Sequence, residues 1–228
     1  MKIFLLVIFF TSNILSQTIA GFSGLVTIPT GNLYSDGTLN FSFNYLNKKY
    51  VSFGNYNEDA LVYSATLAFL PFIEINTNFV YLIRHKGTQG IGDRSVGFRL
   101  KLMNENKHFL SISTGLNNIG TAFGGVGAIH KQSIYIVASK SYSINDELFV
   151  MGTLGHGFRG FKAADYQFIG LFGGVSFTAF KNFELLVEND AERFNCAVRL
   201  TLFKHIKVLA GLMNFKDFSG GMAFSFVL

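Results

Sequence analysis

Cysteine is almost absent from this 228-residue chain: Cys196 stands alone, so no disulfide forms within one molecule, and a small hydrophobe on an apolar run packs rather than reacts. Tryptophan is missing altogether, and charged residues make up 14% against the roughly 25% usual in soluble proteins. Beyond the N-terminus no apolar run approaches the length of a transmembrane helix. Apolar surface must then be built from strands. Catalytic signatures are missing too. His85, His108, His130, His156 and His205 fall on loops and strand ends without His-x-Glu or metal-ligand spacing, and no Gly-x-Ser-x-Gly occurs. The formal net charge of +5 is spread along the chain, which excludes a nucleic-acid patch. No catalytic, metal or cofactor residue is therefore assigned. The glycine-rich stretches 124–127 and 155–157 have no following helix to meet a phosphate, so they read as external loops.

What is present begins with a secretory signal peptide. Lys2 supplies a positive start, residues 3–10 an unbroken apolar run, and Thr18-Ile19-Ala20 a small-residue cleavage site, which predicts cleavage after Ala20. Gly21 rather than cysteine follows, which argues against a lipid anchor. Three segments result: the signal at 1–20, a preamble at 21–37 and a domain at 38–228.

That domain reads as strands of the nine to eleven residues that a tilted membrane strand needs. Residues 38–46 alternate Leu39, Phe41, Phe43 and Tyr45 with Asn40, Ser42 and Asn44. Ten further runs follow at 60–70, 72–84, 95–103, 108–116, 132–141, 147–155, 167–178, 183–190, 194–202 and 206–214. The twelfth, 219–228, ends in Met222, Phe224, Phe226 and Leu228 on one face. So greasy a terminal strand is safe only if it pairs with the first strand and closes a barrel. Connections after even strands are short and most of those after odd strands are longer, as in an outer-membrane barrel with both termini in the periplasm. The predicted fold is an all-β, transmembrane, antiparallel up-and-down barrel of about twelve strands, with ten or fourteen as alternatives. Tyr and Phe must form any aromatic girdle.

Placing the larger apolar series outward leaves a lumen list. One part is polar: Glu74, Asn76, Asn78, Arg99, Lys101, Glu184, Glu188, Asp190, Arg199 and Lys207. Arg199 falls opposite or diagonal to Glu184 and Glu188, within cross-strand reach, so these three read as an interior ion-pair ladder or a polar constriction. The other part is apolar: Phe109, Tyr135, Phe149, Met151, Phe168 and Phe172, interleaved with glycine and serine. The preamble carries Phe22, Leu25, Val26, Ile28 and Tyr34, too apolar for a solvated tail, while Pro29 interrupts it as a strand. It reads as a plug tucked into the lumen against Phe149, Met151, Phe168 and Phe172.

Residues 21–31 (GFSGLVTIPTG), followed by Gly37-Thr38-Leu39, resemble the start of the YjbH family of outer-membrane proteins. Residues 90–99 (GIGDRSVGFR) and Glu188-Asn189-Asp190 followed by Asn195 are similar to that family's later strands. Gly31 stands where the family has an alanine or similar residue. The resemblance implies a barrel linked to exopolysaccharide production or export, without catalytic residues. The function expected is thus a non-enzymatic outer-membrane accessory of a Gram-negative bacterium, its partners being membrane lipids, the barrel-assembly machinery and the polysaccharide or its export proteins. A small general porin and an outer-membrane lipid hydrolase are the alternatives.

Overall fold

In a computed structural model of the chain, residues 17–51, 58–83, 91–119, 131–163 and 165–228 are described, the side chains of Ile91 and Gly92 excepted. The apolar leader to residue 16, His85, His130 and the glycines at 124–127 lie outside them. Twelve strands close into one antiparallel barrel. They are β1 (Thr38–Leu46), β2 (Ala60–Phe69), β3 (Ile73–Leu82), β4 (Ile91–Met103), β5 (Ser111–Asn117) and β6 (Ser133–Ser143). The second half is β7 (Leu148–Phe158), β8 (Gly170–Ala179), β9 (Phe183–Asn189), β10 (Phe194–Leu202), β11 (Ile206–Met213) and β12 (Asp217–Val227).

Closure is made by the first and last strands, with Thr38 opposite Val227 and Phe41 opposite Phe224. Period-2 alternation decides which side chains see the lumen. On β1, Asn40, Ser42 and Asn44 are buried, while Phe41 and Phe43 are exposed on the outer wall. An apolar outside around a polar inside inverts a soluble domain, and is the arrangement a bilayer demands of a barrel. Rings interlock across the seam: Phe43 meets Tyr63 edge-on at 5.6 Å and Phe224 at 6.4 Å. Exposed Phe69, Phe72, Phe180 and Phe203 crowd the turns at one end, where other barrels carry tryptophan.

That end has the short connections. Residues 180–181 and 203–204 are two-residue turns with left-handed backbone at both positions, the geometry that matches strand twist. Long connections gather at the opposite mouth, where only the links between β9 and β10 and between β11 and β12 are tight. Phe224→Asp would put a carboxylate on the outer wall beside the seam, at a cost of at least ~1 kcal/mol. We expect the fraction of heat-modifiable, folded barrel to fall; an unchanged fraction would contradict the closing role of β12.

Several boundaries differ from the sequence reading. Strand β5 starts at Ser111 rather than at 108, because Asn106 Oδ1 accepts from the backbone N–H groups of His108 and Phe109 and folds them into a turn. A register shift between Lys101 and Met103 accompanies it. Phe109 is therefore 56% exposed at the short-turn end, not a lumen residue. Phe168 precedes β8 instead of belonging to it, with a left-handed backbone, yet its ring is buried. Residues 48–50 form one 3₁₀ turn in the first long loop.

Candidate functional site

The barrel is filled by its own N-terminal segment. Leu25, Val26 and Ile28 are wholly buried and share one apolar cluster with Leu186 and with Tyr135, Phe168 and Phe172, whose rings meet edge-on or tilted. Met151 packs against this cluster from the side, whereas Phe149 is half-buried and outside it. Period-2 alternation aims all the wall members except Phe168 inward.

A segment without regular strand pairing still has backbone groups to satisfy, and the lumen's polar residues satisfy them. On one side Glu74 of β3 accepts from Ser23 N and Ser23 Oγ, both at 2.9 Å, and from Tyr34 N at 3.4 Å. Arg99 of β4, paired with Glu74 at 3.4 Å, donates to Ser23 O at 2.8 Å, to Asn32 O at 3.3 Å and to Thr30 O. Lys101 Nζ donates to Gly31 O at 3.0 Å and to Ser111 Oγ at 2.7 Å. Asn76 completes this side by bonding Thr66, whose hydroxyl donates to Gly21 O.

On the other side Glu188 of β9 closes a tongue formed by residues 26–28. Its carboxylate accepts from Val26 N at 2.8 Å, Thr27 N at 2.9 Å, Ile28 N at 3.3 Å and Thr27 Oγ1 at 2.5 Å. Asn195 Nδ2 steadies it at 3.1 Å. Arg199 of β10 pairs with Glu184 at 2.8 Å and donates to Gln17 O at 2.8 Å and Leu25 O at 2.5 Å. The ladder expected of Arg199, Glu184 and Glu188 is thus split. Arg199 sits directly opposite Glu184 and Asn195 opposite Glu188, and the free edge of the guanidinium turns to the segment's carbonyls. Lys207 is buried with its ammonium 5.6 Å from the Tyr34 ring.

One acid and one amide expected in the lumen serve the long-loop mouth instead. Asp190 accepts from the backbone of Glu192 and Arg193 and so shapes the turn after β9. Asn78, half-buried, donates to Asn76 Oδ1 at 2.6 Å. At the same mouth burial pushes the Tyr50 phenol up to about 12, helped by its hydrogen bond to Asp217. Burial lowers the Lys131 ammonium to about 8.

Gly31 has a physical reason to be glycine. A Cβ there would lie 2.2 Å from Ser111 O and 2.8 Å from Ser139 N, both wall backbone atoms that cannot step aside. Gly31→Ala should leave the barrel folded but lift residues 30–32 off β5. Limited proteolysis should then cut the segment faster than in the parent; equal protection would show that the wall yields.

The matching residues of the sequence meet in space: 21–31 fill the lumen, and Arg99, Glu188 and Asn195 hold them. The YjbH family model, described as exopolysaccharide biosynthesis protein YbjH, matches residues 16–212. The chain belongs to the YjbH family. No curated protein matches it. Among solved structures a KdgM porin is similar over 83% of this chain and 99% of that one, at 12% identity and a TM-score of 0.48. The residues this YjbH-family barrel uses on its lumen segment come from β2 to β6 and from β9 and β10, so no single stretch of sequence displays the site. What local patterns missed was Glu188's partner, since backbone N–H groups of 26–28 carry no side-chain signal.

Proposed function

We propose that this chain is a non-enzymatic outer-membrane barrel of a Gram-negative bacterium, both termini periplasmic, that serves exopolysaccharide production or export as a normally closed accessory. The family supplies the polysaccharide connection. The observation that carries the closed state is the tongue 26–28, whose three backbone N–H groups all end on Glu188. A general porin needs a water-filled lumen, whereas buried Leu25, Val26 and Ile28 occupy this one. A lipid hydrolase needs a nucleophile beside a base, whereas His205 Nδ1 meets the backbone carbonyl of Ser225 at 3.0 Å and the Ser225 hydroxyl turns away to Asn40 Oδ1 at 2.7 Å.

The reading is tested by deleting the gene and measuring the amount and chain length of surface polysaccharide. Loss or shortening that the intact gene restores is the expected result. Unchanged polysaccharide in the deletion strain would overturn the reading.

A further inference from the structure

Above the lumen segment, at the long-loop mouth, lies a cavity of about 330 Å³. Its floor includes Phe22 and Thr27, its walls Asn78 and Asn117, and its rim Tyr50 and Asp190. We propose that this cup is a binding site for one or two neutral sugar units of a polysaccharide chain. The proposal rests on the polysaccharide role argued above and names where the chain would be held.

Unused hydrogen-bonding capacity is the first argument. Asn78 Oδ1 and Asn117 Oδ1 are buried and accept from no group among the described residues. Their amide nitrogens are already engaged, Asn78 Nδ2 on Asn76 Oδ1 at 2.6 Å and Asn117 Nδ2 on Ser133 Oγ at 3.4 Å. Two buried acceptors without donors are costly, and a turn of either amide into the cup lets a guest rich in hydroxyl groups remove that cost.

Charge decides the guest's own character. Among the lining residues Lys49, Lys131 and Arg193 face Asp93, Asp165, Asp190 and Glu192, so the field of the mouth is nearly balanced. Several of these are spoken for: Lys49 holds Asp217 at 2.8 Å, Lys131 holds Tyr50 O at 2.6 Å, and Arg193 lies over the Tyr50 ring at 4.9 Å. A phosphate or a uronate would meet carboxylates as often as cations. A lipid chain would leave both asparagines without donors. The volume falls at the small end of ligand pockets, and Phe22, Phe168, Val62 and Val80 supply apolar contact for the C–H face of a pyranose.

The test uses the full chain, purified in detergent and immobilised, with oligosaccharides released by mild acid from the producing strain's own surface polysaccharide and split by anion exchange into neutral and anionic pools. The neutral pool should be retained. Asn78→Leu combined with Asn117→Leu should lower retention at least tenfold while the barrel stays heat-modifiable. Asn117→Leu alone serves if the double variant does not fold. No retention, retention of the anionic pool alone, or retention unchanged in folded variants would overturn the site. Retained oligosaccharide together with normal polysaccharide in the deletion strain would instead defeat the biosynthetic role and leave the cup standing.

Discussion

Arg99→Met should cost the folded protein about 3–5 kcal/mol, the penalty for leaving one partner of a buried pair behind. Glu74 and Arg99 are both inaccessible to solvent, and the guanidinium also holds Ser23 O and Asn32 O. Without it Glu74 keeps a charge in the lumen with only the Ser23 and Tyr34 donors to stabilise it. Glu74→Gln added to Arg99→Met should therefore recover part of the loss, because the uncompensated charge is gone. Reversible urea unfolding in lipid vesicles measures both. A loss under ~1 kcal/mol for Arg99→Met, or strict additivity of the two changes, would show that this pair does not hold the segment.

Glu188→Leu should have the larger effect on function and the smaller on the wall. It strips the acceptor from Val26 N, Thr27 N and Ile28 N at once. A buried donor left without a partner costs about 1–3 kcal/mol, so three together are comparable with or larger than the ~3–6 kcal/mol that burial of Val26 and Ile28 contributes. Barrel ladders are untouched, so the tongue should leave while the wall remains. The expected signs are a new protease site between residues 24 and 29 and a several-fold rise in single-channel conductance. A folded variant with the parent's protection and conductance would contradict the assigned role of Glu188.

How much of this was legible in sequence follows from the range of the forces involved. Strand β1 could be read to the residue because aromatic and polar side chains alternate without a break, and β10 likewise. Closure was legible in the terminal run because an unpaired apolar edge has few other solutions. The Arg199 and Glu184 pair needed only the short hairpin between β9 and β10 to set its register. Phe109 failed on a local competitor, the Asn106 side chain, which offers two N–H groups a turn where alternation offered a strand. Glu188 was legible as a lumen residue but not as the acceptor for residues 26–28, which lie about 160 positions earlier. Asn78 and Asn117 could not be joined into one cup before the register of β3 and β5 was known.

Closure of the lumen by the N-terminal segment separates this barrel from an open porin. The direct measurement is single-channel conductance in a planar bilayer of the intact chain beside a chain lacking residues 21–36 behind its native leader. The intact barrel should conduct little and the shortened one should show stable openings several-fold larger. Equal conductance, together with rapid protease cleavage of residues 21–36 in the folded intact protein, would contradict the closed lumen and leave a porin in its place.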